Sequence, residues 1–272
     1  MNTELFVSNS ELPTVWLVAL VYTVVAALAA GMFPSRLEKF RKAALPIFVF
    51  PGMIVALTYA FRGFGVIDRP LVHWVFEKEA VESFRLGLVF DPVSFSIAVF
   101  TGLSASAIAF KNRPSIRTSG AMALSWAGLG LAASAQTLWM AALGIGVQLL
   151  SRIFPLIEQT EAVGGTDLRW TATTKRAWIG LLGILCGGAG LAAQGVNLDF
   201  FAENAWSNLD GTPASIAAGV LLFFGLVVTL TPVLASHTLG ASVDRDTEEN
   251  LFVSETSLAW ISAVIFYRIF GG

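Results

Sequence analysis

Gln148 and Arg152 are the residues whose chemistry is most at odds with their setting. They sit in TLWMAALGIGVQLLSRIFPLI, Thr137 to Ile157, an apolar run long enough to cross a bilayer. At about 100° per residue, Ala141, Gly144, Gln148, Ser151 and Arg152 fall within about a third of the helix circumference. That helix therefore carries one small, polar face, which must point at protein or at water. A guanidinium near the bilayer centre costs from about 3 kcal/mol upward, and less when it snorkels to the head groups. Arg152 reads either as a snorkelling or structurally paired arginine or as the charge of a polar pathway. Arginine keeps its proton at any workable pH, so it could repel cations or hold an anion but could not relay protons.

A second polar set lies in LVVTLTPVLASHTLG, with Thr229, Thr231 and Pro232. Proline removes a backbone donor and kinks or breaks a helix, and threonine hydroxyls are suited to the carbonyl it frees. Broken spans line ion paths in transporters, whereas a merely kinked one serves packing. The following HTLGASVDRDTEEN carries His237, Asp244, Asp246, Glu248 and Glu249, which could accept a cation or dock a partner, or form a solvated loop.

Enzyme chemistry finds little to work with. There is no Gly-rich phosphate loop and no Ser/His/Asp set in one site, and the chain has two histidines, His73 and His237. The topology below puts them on opposite sides, which excludes joint haem ligation, and His73 beside Trp74 reads as structural. The single Cys186 excludes an internal disulfide and a Cys-based metal site and reads as a small buried residue. No cofactor or metal site is expected.

The elements that must position these groups follow from composition. Hydrophobic residues make up 55% of the 272 and charged ones 13%, with mean hydropathy +0.71, which marks a polytopic membrane protein. Eight apolar windows fit the span length, near 15–33, 44–61, 93–110, 119–135, 137–157, 177–195, 214–235 and 251–270. The fourth and fifth are separated only by Gln136 and its neighbours, so they form a tight hairpin. The segment before the first window has Glu4 and Glu11 but no Lys or Arg, so it lacks a signal peptide's basic region, and the first span is expected to stay in the mature protein.

Placing the N-terminus outside puts Arg36, Lys39, Arg41, Lys42, Lys111, Arg113, Arg117, Arg169, Lys175, Arg176 and Arg245 inside. Only Arg62, Arg69, Lys78, Arg85 and Arg268 then lie outside, so the bias favours N-out and C-out. No basic cluster is large enough to argue for nucleic acid. In the outer connection 62–91, LVHWVF and FRLGLVF are β-prone runs that suggest a small hairpin on the outer face. Gly180, Gly183, Gly187 and Gly190 leave one helix face as bare backbone for a partner helix, and Ser125, Gly128 and Ala132 offer a second such face to the fifth span.

The run LGLVFDPVSFSI leading into the third span, the hairpin of the fourth and fifth, and the proline-bearing seventh followed by a polar loop resemble a known arrangement. It is the N-terminal half of the antiporter-like membrane subunits of respiratory complex I and of Mrp-type Na+/H+ antiporters, which are also paired with carbon-concentrating proteins. Asp91, Pro92 and Ser94 stand in the motif that carries the resemblance, the apolar-Asp-X-Leu-Ser lead-in to the family's third helix. The resemblance implies a proton path with a glutamate in the fifth helix and a lysine in the seventh. Here no Asp or Glu lies between Pro92 and Pro155, and no Lys follows Lys175; the family positions fall at about Ile145 and at Val227 or Thr229. Such a relative would be shortened and non-conducting, and its role structural.

The sequence thus predicts an all-α integral membrane protein, one transmembrane domain over 1–272, with about eight helices, N-out and C-out, and a broken or kinked seventh helix. It reads as a subunit of a larger assembly in a bacterial inner membrane, an anchor or scaffold whose partners are the bilayer and other membrane or peripheral subunits. Two alternatives stay open. One is a stand-alone channel or transporter for a small anion or neutral solute using Arg152; the other is the membrane partner of an inorganic-carbon uptake complex.

Overall fold

A helix runs through each of the eight apolar windows. The computed structural model describes residues 11–63, 71–73, 87–90, 92–112, 114–154, 157, 172–201, 211–236 and 245–270. In chain order these form α1 (Glu11–Met32), α2 (Pro34–Leu37) with a 3-10 turn at Glu38–Phe40, α3 (Ala44–Gly63), β1 (Leu71–His73) and β2 (Leu88–Phe90). They continue with α4 (Pro92–Asn112), α5 (Ile116–Ala133), α6 (Leu138–Leu150), α7 (Ala172–Ala192), α8 (Pro213–Ser236) and α9 (Arg245–Phe270). The architecture is mainly helical.

The bundle is built on α5. Every residue from Thr118 to Ala133 is buried, as a helix apolar and small on all sides must be. Ser115 caps its start, its hydroxyl accepting from the Thr118 amide at 3.1 Å. Around α5 pack α1, α3, α4, α6 and α9, while α7 and α8 pair with each other and join through α6 and α9. Trp126 of α5 fills the space over Gly52, donates its indole N–H to the Ala98 carbonyl at 2.9 Å and meets Trp16 edge-on with ring centroids 5.9 Å apart.

Among the described residues, two helices are long and apolar enough to cross a membrane, over Val15–Met32 and Val93–Lys111, or three if the bent pair Pro34–Phe40 and Ala44–Thr58 counts as one span. That third piece is bent by 77° between the basic connector Pro34–Phe40 and α3, a break the hydropathy pattern does not announce.

Four expectations need correction. The fifth window is interrupted: α6 ends at Leu150, and the amides of Ser151 and Arg152 turn back on the carbonyls of Gln148 and Leu149 at 3.1 Å each before helix resumes at Ile153 and Phe154. Arg152 therefore sits in the turn closing a helix of 13 residues. Of the broken and kinked readings of the seventh window, the broken one fails, since α8 runs without interruption from Pro213 to Ser236. Pro232 is four residues from its end, so the missing amide falls in the last turns. The eighth helix starts at Arg245, earlier than its apolar window, because Asp246, Glu248 and Glu249 favour a helix N-terminus. Cys186 is exposed on α7, not buried.

At one end of the bundle, extended chain replaces helix. β1 and β2 pair antiparallel, Leu71 with Phe90 and His73 with Leu88, joining the two β-prone runs. Beyond β2 the ladder continues: Val89 N–H donates to the Ser134 carbonyl at 2.7 Å and Gln136 N–H to the Gly87 carbonyl at 2.8 Å. On its far side the α5–α6 turn pairs with 198–200 through Leu138 N–H to the Leu198 carbonyl, 3.1 Å, and Phe200 N–H to the Gln136 carbonyl, 2.8 Å. Four segments distant in sequence thus share one layer, which satisfies backbone groups that the helix ends leave open.

Candidate functional site

The most polar buried region of the described residues lies at this ladder end. Ser94, the third residue of α4, donates its hydroxyl to the Ala133 carbonyl at 2.8 Å, tying the start of α4 to the end of α5. Arg268, 7% exposed in the last turn of α9, donates to the carbonyls of Ala133 and Ala135. Its guanidinium also lies 3.4 Å from the Ser94 hydroxyl and 4.9 Å from the Phe201 ring centre. A cation at the C-terminal carbonyls of α5 meets the negative end of that helix's dipole, and the ring face adds a second attraction.

Beside it, Gln136 donates its side-chain amide to an Asp199 carboxylate oxygen at 2.7 Å, and the Phe201 amide donates to the other oxygen at 2.9 Å. Asp199 is 6% exposed, so its charge is held by N–H groups of the ladder. Gly87 makes room for this: a Cβ there would stand 2.1 Å from the Gln136 side-chain oxygen.

The polar face of α6 lies along its contact with α5. Gln148 is fully buried, Ser151 is 1% exposed and Arg152 3% exposed. Ser125 of α5 donates to the Ser151 hydroxyl at 2.8 Å, and Ser151 in turn donates to the Gln148 carbonyl at 2.6 Å. Gly128 lies against Gln148 so closely that a Cβ would be 2.5 Å from the Gln148 nitrogen. Ile145, fully buried, occupies the same helix between these groups and the ladder.

Thr229 belongs to a different interface. Its hydroxyl bonds the Leu226 carbonyl at 2.6 Å and the Ser262 hydroxyl at 2.7 Å, joining α8 to α9. α8 packs chiefly on α7 and α9, so Thr229 and the Gln148, Ser151, Arg152 group do not form one site. Nothing is described of the Thr231 and Pro232 side chains, and Asp91, Trp74 and His237 lie outside the described residues. Pro92 opens α4.

Gly180, Gly183, Gly187 and Gly190 of α7 face α8. A Cβ on Gly187 would stand 2.4 Å from the Leu222 nitrogen, one on Gly183 2.9 Å from Gly225 Cα, and one on Gly190 2.9 Å from Ala218 Cβ. Gly180 meets Thr229 itself, at 2.7 Å from Cγ2. Here two helices approach backbone to backbone.

Sequence reasoning passed over Arg268, Gln136 and Asp199. The sequence alone places Arg268 among the outside charges and Gln136 between two spans. The available signal was that each lies where an apolar span ends, beside helix carbonyls or amides that need partners. Among the described residues no three of His, Cys, Asp and Glu come together, so none offers a metal cage.

No protein-family model matches the chain, and no curated protein is significantly similar to it in sequence.

Proposed function

We propose that this chain is an integral membrane scaffold, a non-conducting subunit that seats a partner in the bilayer. In this reading its eight helices span the membrane with both termini outside. It is a relative of the antiporter-like subunits of complex I and Mrp antiporters. The observation that carries the reading is the composition of the interior. Between Asp199 at the ladder end and Arg152 at the other, the buried polar side chains described are hydroxyls and glutamines, with Ile145 and Thr229 near the places where the family's relay residues belong. A proton path needs titratable groups a water or two apart, and these residues offer none.

The close contact of α5 with α6 and of α7 with α8 supports the same view, because backbone against backbone leaves no room for a water file along those interfaces. The anion-channel alternative draws less support, since Arg152 closes a short helix and packs at its end.

Purification in mild detergent from the native membrane tests the proposal. A second polypeptide should co-elute in fixed ratio and detach when the interface is disturbed. A chain that runs alone from native membranes under every mild condition would count against it.

A further inference from the structure

A groove of about 860 Å³ separates α4 from α9. Both helices pack on α5, yet along the groove they leave each other unpartnered. At the ladder end the groove is bounded where Arg268 meets Ser94 at 3.4 Å. From Val93 it follows α4 to Ile108, roughly 22 Å at 1.5 Å per residue, most of the way across a hydrocarbon core. The lips are aromatic and open to the surroundings, with Phe100 71%, Trp260 52% and Tyr267 61% exposed. The walls are apolar apart from hydroxyls such as Ser104 and Ser257, so water would be a poor occupant.

The far mouth is cationic. Lys111 follows Ser104 and Ile108 at i+7 and i+3, on the groove face of α4, and is exposed. Arg41 reaches the same end, donating to the Pro114 carbonyl at 3.1 Å just beyond α4 and pairing with Glu38 at 3.4 Å. Asp246 to Glu249, which open α9, stand two to three turns beyond Ser257 along that helix.

We infer that this groove is a lipid site, holding the acyl chain of an anionic phospholipid whose phosphate sits at Lys111. An extended hydrocarbon tail suits a long, dry, half-open channel between two helices, and the Lys111 cation at its mouth sets the head-group preference. The inference rests on the chain residing in a membrane.

The full chain, reconstituted in phosphatidylcholine vesicles, is titrated with phosphatidylglycerol or phosphatidylcholine brominated on the acyl chains, which quench tryptophan on contact. The difference between the unchanged chain and Trp260→Phe isolates the signal of Trp260. Its half-quenching should need about fivefold less brominated phosphatidylglycerol than phosphatidylcholine, the effect of one cation near an anionic head group. Lys111→Glu, a change at an exposed position, should erase that preference, and Ala263→Phe, which fills the groove, should remove the quenching of Trp260. Equal quenching by both lipids, or a preference that survives Lys111→Glu, would overturn the site. So would a Trp260 shielded from both lipids by a co-purifying helix, which would make the groove a protein interface. A chain that washes off the vesicles at alkaline pH would instead defeat the membrane reading beneath it.

Discussion

A Cβ built on Gly128 would lie 2.6 Å from the Gly144 carbonyl oxygen, and one built on Gly144 would lie 2.7 Å from that of Gly128. The two helices of the central hairpin therefore meet as bare backbones, and neither position tolerates even a methyl group without moving its partner. Gly128→Ala should lower stability by about 1–3 kcal/mol, the usual result of overpacking a close contact. Gly146, on the same helix as Gly144, has its nearest neighbour at 4.0 Å, so Gly146→Ala should be neutral or stabilising by about 0.5–1 kcal/mol. Thermal unfolding in one detergent should give the two changes opposite signs.

Arg268 holds two carbonyls of the α5 terminus from the far end of the chain. Arg268→Ala should leave them without that donor, at a cost of about 1–3 kcal/mol. Arg268→Lys should recover only part, because an ammonium lacks the planar fork. Hydrogen exchange should localise the damage, with the amides of Gln136 and Leu138 exchanging faster while the α7–α8 pair keeps its protection.

The Gln136 and Asp199 side chains should prove coupled. Removing either leaves the other partly unsatisfied in the ladder layer, so the double change Gln136→Ala with Asp199→Ala should cost less than the two single changes together. A coupling energy of about 1 kcal/mol or more in the unfolding cycle is expected, and simple additivity would say that the 2.7 Å contact contributes nothing.

Arg152 separates the scaffold from the channel. If Arg152 braces the end of α6, Arg152→Gln should reduce the yield of folded chain or its retention of a partner. A variant as abundant and as well assembled as the unchanged chain, but with a lost solute flux, would return Arg152 to a selectivity role.

Much of the helical layout can be read from apolar run lengths, because a lipid-facing segment must be both long and apolar. What the pattern misses is set by neighbours. The stop at Leu150 depends on the Ser151 and Arg152 amides turning back on the preceding carbonyls, and the 77° bend before α3 falls in a basic connector with no proline or glycine between its two arms. Pro232 carries the strongest local signal for a break, yet α8 continues past it. The ladder layer joins 71–73, 87–90, 134–138 and 198–200, and only the first two runs show a strand pattern in sequence. The pairing of Arg268 with carbonyls 133 positions away was invisible for a different reason: a spacing rule within one helix says nothing about a contact between its end and another's.

The central claim concerns protons and ions, and it is tested most directly by placing the purified chain alone in sealed liposomes and imposing a proton or sodium gradient. The account predicts that the gradient decays no faster than in empty vesicles, because the described residues of the interior offer no chain of titratable groups. Rapid, saturable dissipation by the isolated polypeptide would contradict it.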